Sequence, residues 1–353
     1  MTLFNVRMPG LPMTVVAADG LNVQPVETDE FQMGVAETYD VIVEPKEARA
    51  FAFVAESIDR SGQVVATLGP KPGMRAEVPA LRPVPVLTMK DMGMDHSAMG
   101  HGDMAHSAMD DDAGQMDHSA EDSGAMDHSA MGHGGMDHSA MANGPDPYGP
   151  QIQLAKVEAD MKRGPGVVNV AAMPTNRLSE PGIGLEGLDH RTLSYSQLRS
   201  LAPNPDTRVP GREVVVHLTS NMERYMWSFD GVKFSEVKKP ITFMEGERVR
   251  LTLVNNTMMP HPIHLHGMFF DVVNGGGNHK PRKHTIIVKP GEKVSVDVSA
   301  EHVGDWAFHC HLIYHMHAGM MQVVTVQPNP LSMKKHAVST HAGRAHGSQK
   351  ELN

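Results

Sequence analysis

Two short segments near the C-terminal end gather the residues best suited to bind a metal. One is His261-Pro-Ile-His264-Leu-His266-Gly267; the other is His309-Cys310-His311-Leu-Ile-Tyr-His315, followed by Met320. Successive side chains of a β-strand point to opposite faces. On a strand, His309 and His311 share one face and Cys310 takes the other, with Trp306 and Phe308 on the cysteine side to keep water from the sulfur. His264 and His266 likewise share a face. A single strand can therefore serve two metal sites back to back. One Cys thiolate, two His and a weak axial Met are the donors of a blue-copper electron-transfer site. His261, Cys310, His315 and Met320 supply that set, with Met321 the neighbouring competitor for the axial place. His264, His266, His309 and His311 are imidazoles without a thiolate, which suit further copper.

These residues need strands to position them, and the surrounding sequence provides them. REVVVHLTS, YMWSFDG, ERVRLTLVNN, HTIIVKPGE, KVSVDVSA and DWAFHCH are strand-length segments with turn residues between them. Their spacing predicts an all-β sandwich over residues 207–327, with residues 328–353 a flexible tail. Residues 1–70 alternate in the same manner but offer four or five strands, so they read as a partial domain. Residues 71–88 are a proline-rich linker. Residues 142–206, rich in Pro, Gly and Asn, read as an extended connection over a neighbouring domain, with one short helix at 194–201.

Composition points the same way. The 353 residues suffice for about two domains. The single cysteine excludes an internal disulfide and any multi-cysteine zinc site. Met (28) and His (22) are over-represented, and both are copper ligand types. Residues 89–141 hold eleven of the 41 acids and one of the 31 bases, so the net charge of −10 belongs to that segment. The rest is neutral and has no basic patch, which argues against a nucleic-acid partner. No apolar run is long enough for a membrane-spanning helix. The N-terminus, MTLFNVRMPGLPM, predicts no signal peptide.

The 89–141 segment repeats Met-Asp-His-Ser at Met94–His96, Met116–His118, Met126–His128 and Met136–His138, with Met-Ala-His-Ser at Met104–His106. It contains no Val, Ile, Leu or aromatic residue, so it is expected to stay disordered. Thioethers beside imidazoles favour Cu(I), which makes these repeats accessory copper sites. Met222, Met226, Met258 and Met259 could guide Cu(I) toward the thiolate site or fill the core. Met316 and His317 read as structural, and His190, His217, His279, His284 and His302 as structural or exposed. The tail's His336, His341 and His346 could bind metal loosely.

HPIHLHG followed by HCHLIYHMHAGM resembles the third and fourth copper motifs of the multicopper oxidases. The Met/His-rich segment resembles their CopA-type copper resistance branch, and ETYDVIVEP their middle cupredoxin domain. The resemblance implies a cupredoxin-like Greek-key β-sandwich, complete at the C-terminal end and partial at the N-terminal end. It implies type 1 copper on His261, Cys310, His315 and Met320, type 2 on His264, and the type 3 pair on His266, His309 and His311. Electrons would pass from Cys310 through His309 and His311 to a trinuclear cluster that reduces dioxygen to water. The complete family enzyme carries four coppers.

The family's first two copper motifs lie in an N-terminal cupredoxin domain, whereas no His precedes His96 here. The chain therefore reads as the C-terminal part of a longer periplasmic copper-resistance oxidase. An N-terminal domain or a second chain would complete the cluster. A non-catalytic copper-sequestering or blue-copper protein is the rival reading. Deleting residues 89–141 should lower the number of Cu(I) ions bound, measured by metal analysis after gel filtration, and leave the melting of the C-terminal domain unchanged. Unaltered stoichiometry would make the segment a spacer.

Overall fold

The computed structural model describes residues 2–94 and 154–330. The repeat residues His96, Met104, His106, Met116, His118, Met126, His128, Met136 and His138 lie outside these residues, as do the tail histidines. Met94 is within them, bridged to Met173.

Short runs of β-branched and aromatic residues separated by turn residues give strands throughout. The first unit has β1 (Phe4–Arg7), β2 (Met13–Ala18), β3 (Leu21–Thr28), β4 (Glu30–Met33), β5 (Tyr39–Ile42), β6 (Phe51–Ser57) and β7 (Gln63–Leu68). These are seven strands where the sequence suggested four or five. They form one sheet in the order β4-β1-β6-β7 and another in the order β3-β2-β5.

The second unit has β8 (Ala155–Val157), β9 (Arg212–Asn221), β10 (Met226–Phe229), β11 (Ile241–Met244), β12 (Arg248–Asn255) and β13 (His261–Leu265). It continues with β14 (Phe270–Val272), β15 (Arg282–Lys283), β16 (Thr285–Val288), β17 (Lys293–Ser299), β18 (Gly304–Cys310), α1 (Ile313–His317) and β19 (Met321–Gln327). One sheet runs β10-β9-β12-β17-β14-β15, with β8 beside β9; the other runs β11-β19-β18-β13-β16. Phe229 of β10 stacks on Phe308 of β18 at 4.9 Å, so the two sheets meet face to face. Strand β12, RVRLTLVN, is buried along nearly its whole length, and its polar Arg248, Arg250 and Thr252 are each hydrogen-bonded, to Asp271, Asp297 and Glu213.

The two units share one apolar core, which holds Met13 and Val15 of the first with Leu251, Ile263 and Phe308 of the second. The connection between them does more than drape. Leu178, Leu185 and Leu198 are fully buried in it or beside it. The short helix expected at 194–201 shrinks to one 3-10 turn, Tyr195–Gln197, closed by a capping box from Ser194 and Gln197. Asn274 explains the stop, because its side-chain amide donates to the carbonyls of Tyr195 and Leu198 at 2.8 and 2.9 Å.

The proline-rich stretch has no strand, yet it is clamped. The Arg82 guanidinium donates to the carboxylates of Glu30 and Glu56, both fully buried. Burial pushes the Glu56 carboxyl up, but hydrogen bonds from Arg82 and Arg7 outweigh it and hold it at about 2. Removing one partner from a buried ionic group leaves charge uncompensated. Arg82→Ala should therefore cost about 3 kcal/mol in urea unfolding, whereas a change below about 1 kcal/mol would make the contact a surface pair.

Candidate metal centre

The geometry follows from the pairing of β13 with β18. They are antiparallel, with Ile263 opposite Cys310 and His264 opposite His309. Alternation then sends His261 and Cys310 to one face and His264 and His309 to the other. The amide of His311 donates to the carbonyl of Pro262 at 2.7 Å and extends the clamp past the end of β18. Gly267, at φ +73°, ends the first motif where only glycine fits: a Cβ there would lie 2.2 Å from the Trp306 ring. Trp306 thus packs over this turn, and its indole N–H donates to the carbonyl of His302.

On the inner face, Cys310 Sγ lies 3.6 Å from His261 Nδ1 and 3.7 Å from His315 Nδ1. The two Nδ1 atoms are 3.1 Å apart. His315 is brought back to the cysteine by α1. Among the described residues this is the one group of three or more His, Cys, Asp or Glu whose ligand atoms lie within 4.8 Å of one another. An ion about 2.0 Å from each nitrogen and about 2.3 Å from sulfur would produce such separations. Met320 is fully buried next to it. Its amide donates to the His315 carbonyl at 2.9 Å, and its carbonyl accepts from the Cys310 amide at 3.1 Å.

Hydrogen bonds also set the tautomers. Thr257 Oγ1 donates to the Met259 carbonyl, so it accepts from His261 Nε2–H at 2.7 Å. That leaves His261 Nδ1 with its lone pair toward the cysteine. Burial pushes the Cys310 thiol far up, so the protein alone keeps it protonated. A bound metal ion would deprotonate it.

The opposite face carries four imidazoles. Ring centroids of His264 lie 4.6 Å from His266 and 5.7 Å from both His309 and His311, and His309 to His311 is 5.3 Å. His266 Nε2 and His309 Nε2 are 3.1 Å apart. Carbonyls only accept, so His264 Nδ1–H donates to the His284 carbonyl at 2.7 Å and His309 Nδ1–H to the Cys310 carbonyl at 3.0 Å. Both rings therefore present an unprotonated Nε2. His266 is exposed and His309 is buried, so the cluster lies at the edge of the fold.

The structure adds residues that the sequence reading passed over. His284, set aside as structural or exposed, meets His264 edge-on at 5.0 Å, besides fixing its tautomer. Asp19, in the turn between β2 and β3, accepts from the backbone amides of His284 and Thr285 at 3.0 and 3.1 Å. The buried Lys283 ammonium lies 3.0 Å from Asp19 and 3.2 Å from Glu37. Asp19 is hundreds of residues from the motifs in sequence, and only the packed fold brings it to them. Met226, Met316, His317 and Met321 line a cleft of about 850 Å³ beside α1. Met222 and Met258 are exposed.

Multicopper oxidase family models match residues 207–330 and residues 1–70. The chain belongs to the multicopper oxidase family. It is 49% identical over 328 residues to a copper resistance protein A homolog of Pseudomonas syringae pv. tomato, covering 93% of this chain and 53% of that protein. It is 48% identical over 337 residues to copper resistance protein A of Escherichia coli, covering 93% and 54%. The chain thus spans about half the length of these relatives. In fold it is similar to Fet3p, a multicopper oxidase that functions in iron import, with a TM-score of 0.55 at 14% identity, over 99% of this chain and 56% of that one.

Burial, with the nearby His315, holds His261 well below the ordinary imidazole range; burial alone brings His315 to about 4. Burial and the neighbouring imidazoles bring His264 to about 4 as well. These rings are neutral near pH 7, as metal ligands must be. Unfolded histidines take up protons below about pH 6.5, while the folded ones resist until about pH 4. The unfolded state therefore binds more protons in that window, and stability falls as pH falls through it. Thermal melts of the metal-free chain should drop steadily between pH 6.5 and 4, less so in a His264→Gln, His315→Gln variant. Equal slopes would place the acid sensitivity elsewhere.

Proposed function

We propose that this chain is a copper-binding part of a copper-resistance multicopper oxidase, with type 1 copper on His261, Cys310, His315 and Met320. The observation that carries the reading is the buried His261–Cys310–His315 group, whose sulfur and nitrogen separations match a single ion. A thiolate, two imidazoles and a thioether are the blue-copper donors. The remaining wall would contribute His264 to type 2 copper and His266, His309 and His311 to the type 3 pair. Bound copper would supply one-electron acceptance at the thiolate site and dioxygen reduction to water at the cluster.

The chain's own residues do the rest. Cys310 and His309 are covalent neighbours facing opposite sides, so the backbone between them links the two sites. The carbonyl of Cys310 accepts from His309 Nδ1–H, which gives that link a hydrogen-bonded shortcut. Phe308 and Phe229 close the cysteine side to water. The thioethers of Met226, Met316 and Met321 line the cleft beside α1, and soft donors suit Cu(I) as the substrate. Phenols would be surrogates. A periplasmic setting is part of this proposal, on the likeness to copper resistance protein A. So are the Met/His repeats as accessory copper sites and a further domain or chain that completes the cluster.

The copper-loaded chain should show an intense thiolate-to-Cu(II) band in the red. Cys310→Ser should abolish it, since no other thiol exists in the sequence. Survival of the band in that variant would sink the assignment. The four imidazoles form one wall of a cluster, open at His266, so this chain alone should consume little oxygen. Turnover in an oxygen electrode is expected well below about 1 per second. Faster uptake that is lost in His309→Ala would mean that this chain assembles a working cluster by itself.

A further inference from the structure

The geometry points to Tyr225 and Trp227 as the relay that carries electrons from outside donors to the buried thiolate site. The inference rests on the type 1 reading proposed above. The problem it answers is access: His261 and Cys310 are 0% exposed and His315 is 1% exposed. A donor that cannot enter the core touches no ligand, so its electron must cross intervening groups.

Strand β10 and the turn residue before it supply them. The Trp227 indole stacks on the His315 imidazole with centroids 4.4 Å apart and planes 15° from parallel. The Tyr225 ring meets Trp227 edge-on at 5.1 Å. Trp227 is buried, while Tyr225 is 62% exposed and lines the cleft beside α1. Three aromatic rings thus run in contact from solvent to a proposed ligand. Alternation along β10 puts Trp227 and Phe229 on one side, and the turn just before the strand brings the Tyr225 ring against Trp227.

Two details fit a relay better than mere packing. Tyr225 sits at φ +50°, a left-handed backbone that a bulky side chain adopts at a cost of about 1 kcal/mol or more. What that conformation secures is a ring held between Trp227 and water. Trp227 Nε1 is buried with no hydrogen-bond partner among the described residues. The electron crosses these stacked rings in one tunnelling step, so neither side chain need be oxidised and the buried indole keeps its proton throughout.

The balance is simple. A one-electron donor at the cleft, such as a phenol, loses one electron and releases one proton to water. The electron passes by way of Tyr225, Trp227 and His315, and type 1 Cu(II) becomes Cu(I). Both relay residues end as they began.

The test uses the full copper-loaded chain, mixed anaerobically with ferrocyanide, with the blue band followed by stopped flow. Tyr225→Leu and Trp227→Phe should each bleach about tenfold more slowly. Tyr225→Leu changes an exposed side chain, so its band position and reduction potential should match the unaltered chain. Tyr225→Trp, which restores an aromatic ring against Trp227, should recover most of the rate. Unchanged bleaching in both loss variants would overturn the relay. A slower rate accompanied by a shifted potential would trace the effect to disturbed ligands and overturn it too. If the unaltered chain binds copper without a blue band, the type 1 reading itself fails, which is a separate and visible outcome.

Discussion

Everything proposed for this protein depends on the register between β13 and β18. A strand has a period of two, so a slip of one residue would exchange every side chain between the faces. With Ile263 opposite Cys310 and His264 opposite His309, the cysteine faces the core and the paired histidines face the other way. His261 reaches the cysteine because it sits an even number of residues from Ile263. The same parity keeps His264 and His266 together. Ridding either motif of one residue would separate the donors, whatever their identities.

That register is held by contacts from the rest of the chain. Strand β16 pairs with β13 on the side away from β18, with Thr285 opposite His264. The backbone just before and at Thr285 is gripped by Asp19 from the first unit. Asp19 in turn is balanced by Lys283, which is fully buried and shares its charge with Glu37. Burial pushes the Glu37 carboxyl up, and Lys283 works against that shift. The Tyr195 hydroxyl donates to Glu37 and accepts from the Ile287 amide. Buried ions of this kind are costly unless fully paired. They hold the first unit, the connection and the sheet edge in one arrangement.

The two faces of the sheet are different environments. The cysteine face is sealed by Phe308, Phe229, Trp227 and Met320, so its donors are preorganised and dry. The opposite face is open at His266 and half-open at His264 and His311. Rigid donors in a dry pocket suit electron transfer, which needs little rearrangement. An open wall of imidazoles suits a small molecule that must arrive and leave.

The residue types and spacings by themselves determined the all-β class, the two histidine motifs and the opposed faces of the DWAFHCH strand, because strand alternation is a local rule. They also marked Cys310 as the sole thiol. Seven strands in the first unit were legible only in part, since β3 and β4 are split by a single residue that breaks no pattern. The helix expected at 194–201 failed because Asn274, far along the chain, takes the carbonyls that a helix would need. His284 read as an ordinary histidine, and Asp19 as an ordinary turn residue. Their part in orienting His264 was decided by tertiary structure alone, through backbone hydrogen bonds between strands distant in sequence. The same holds for Trp227 against His315. A local pattern can say which way a side chain points, but only the packed fold says what it meets there.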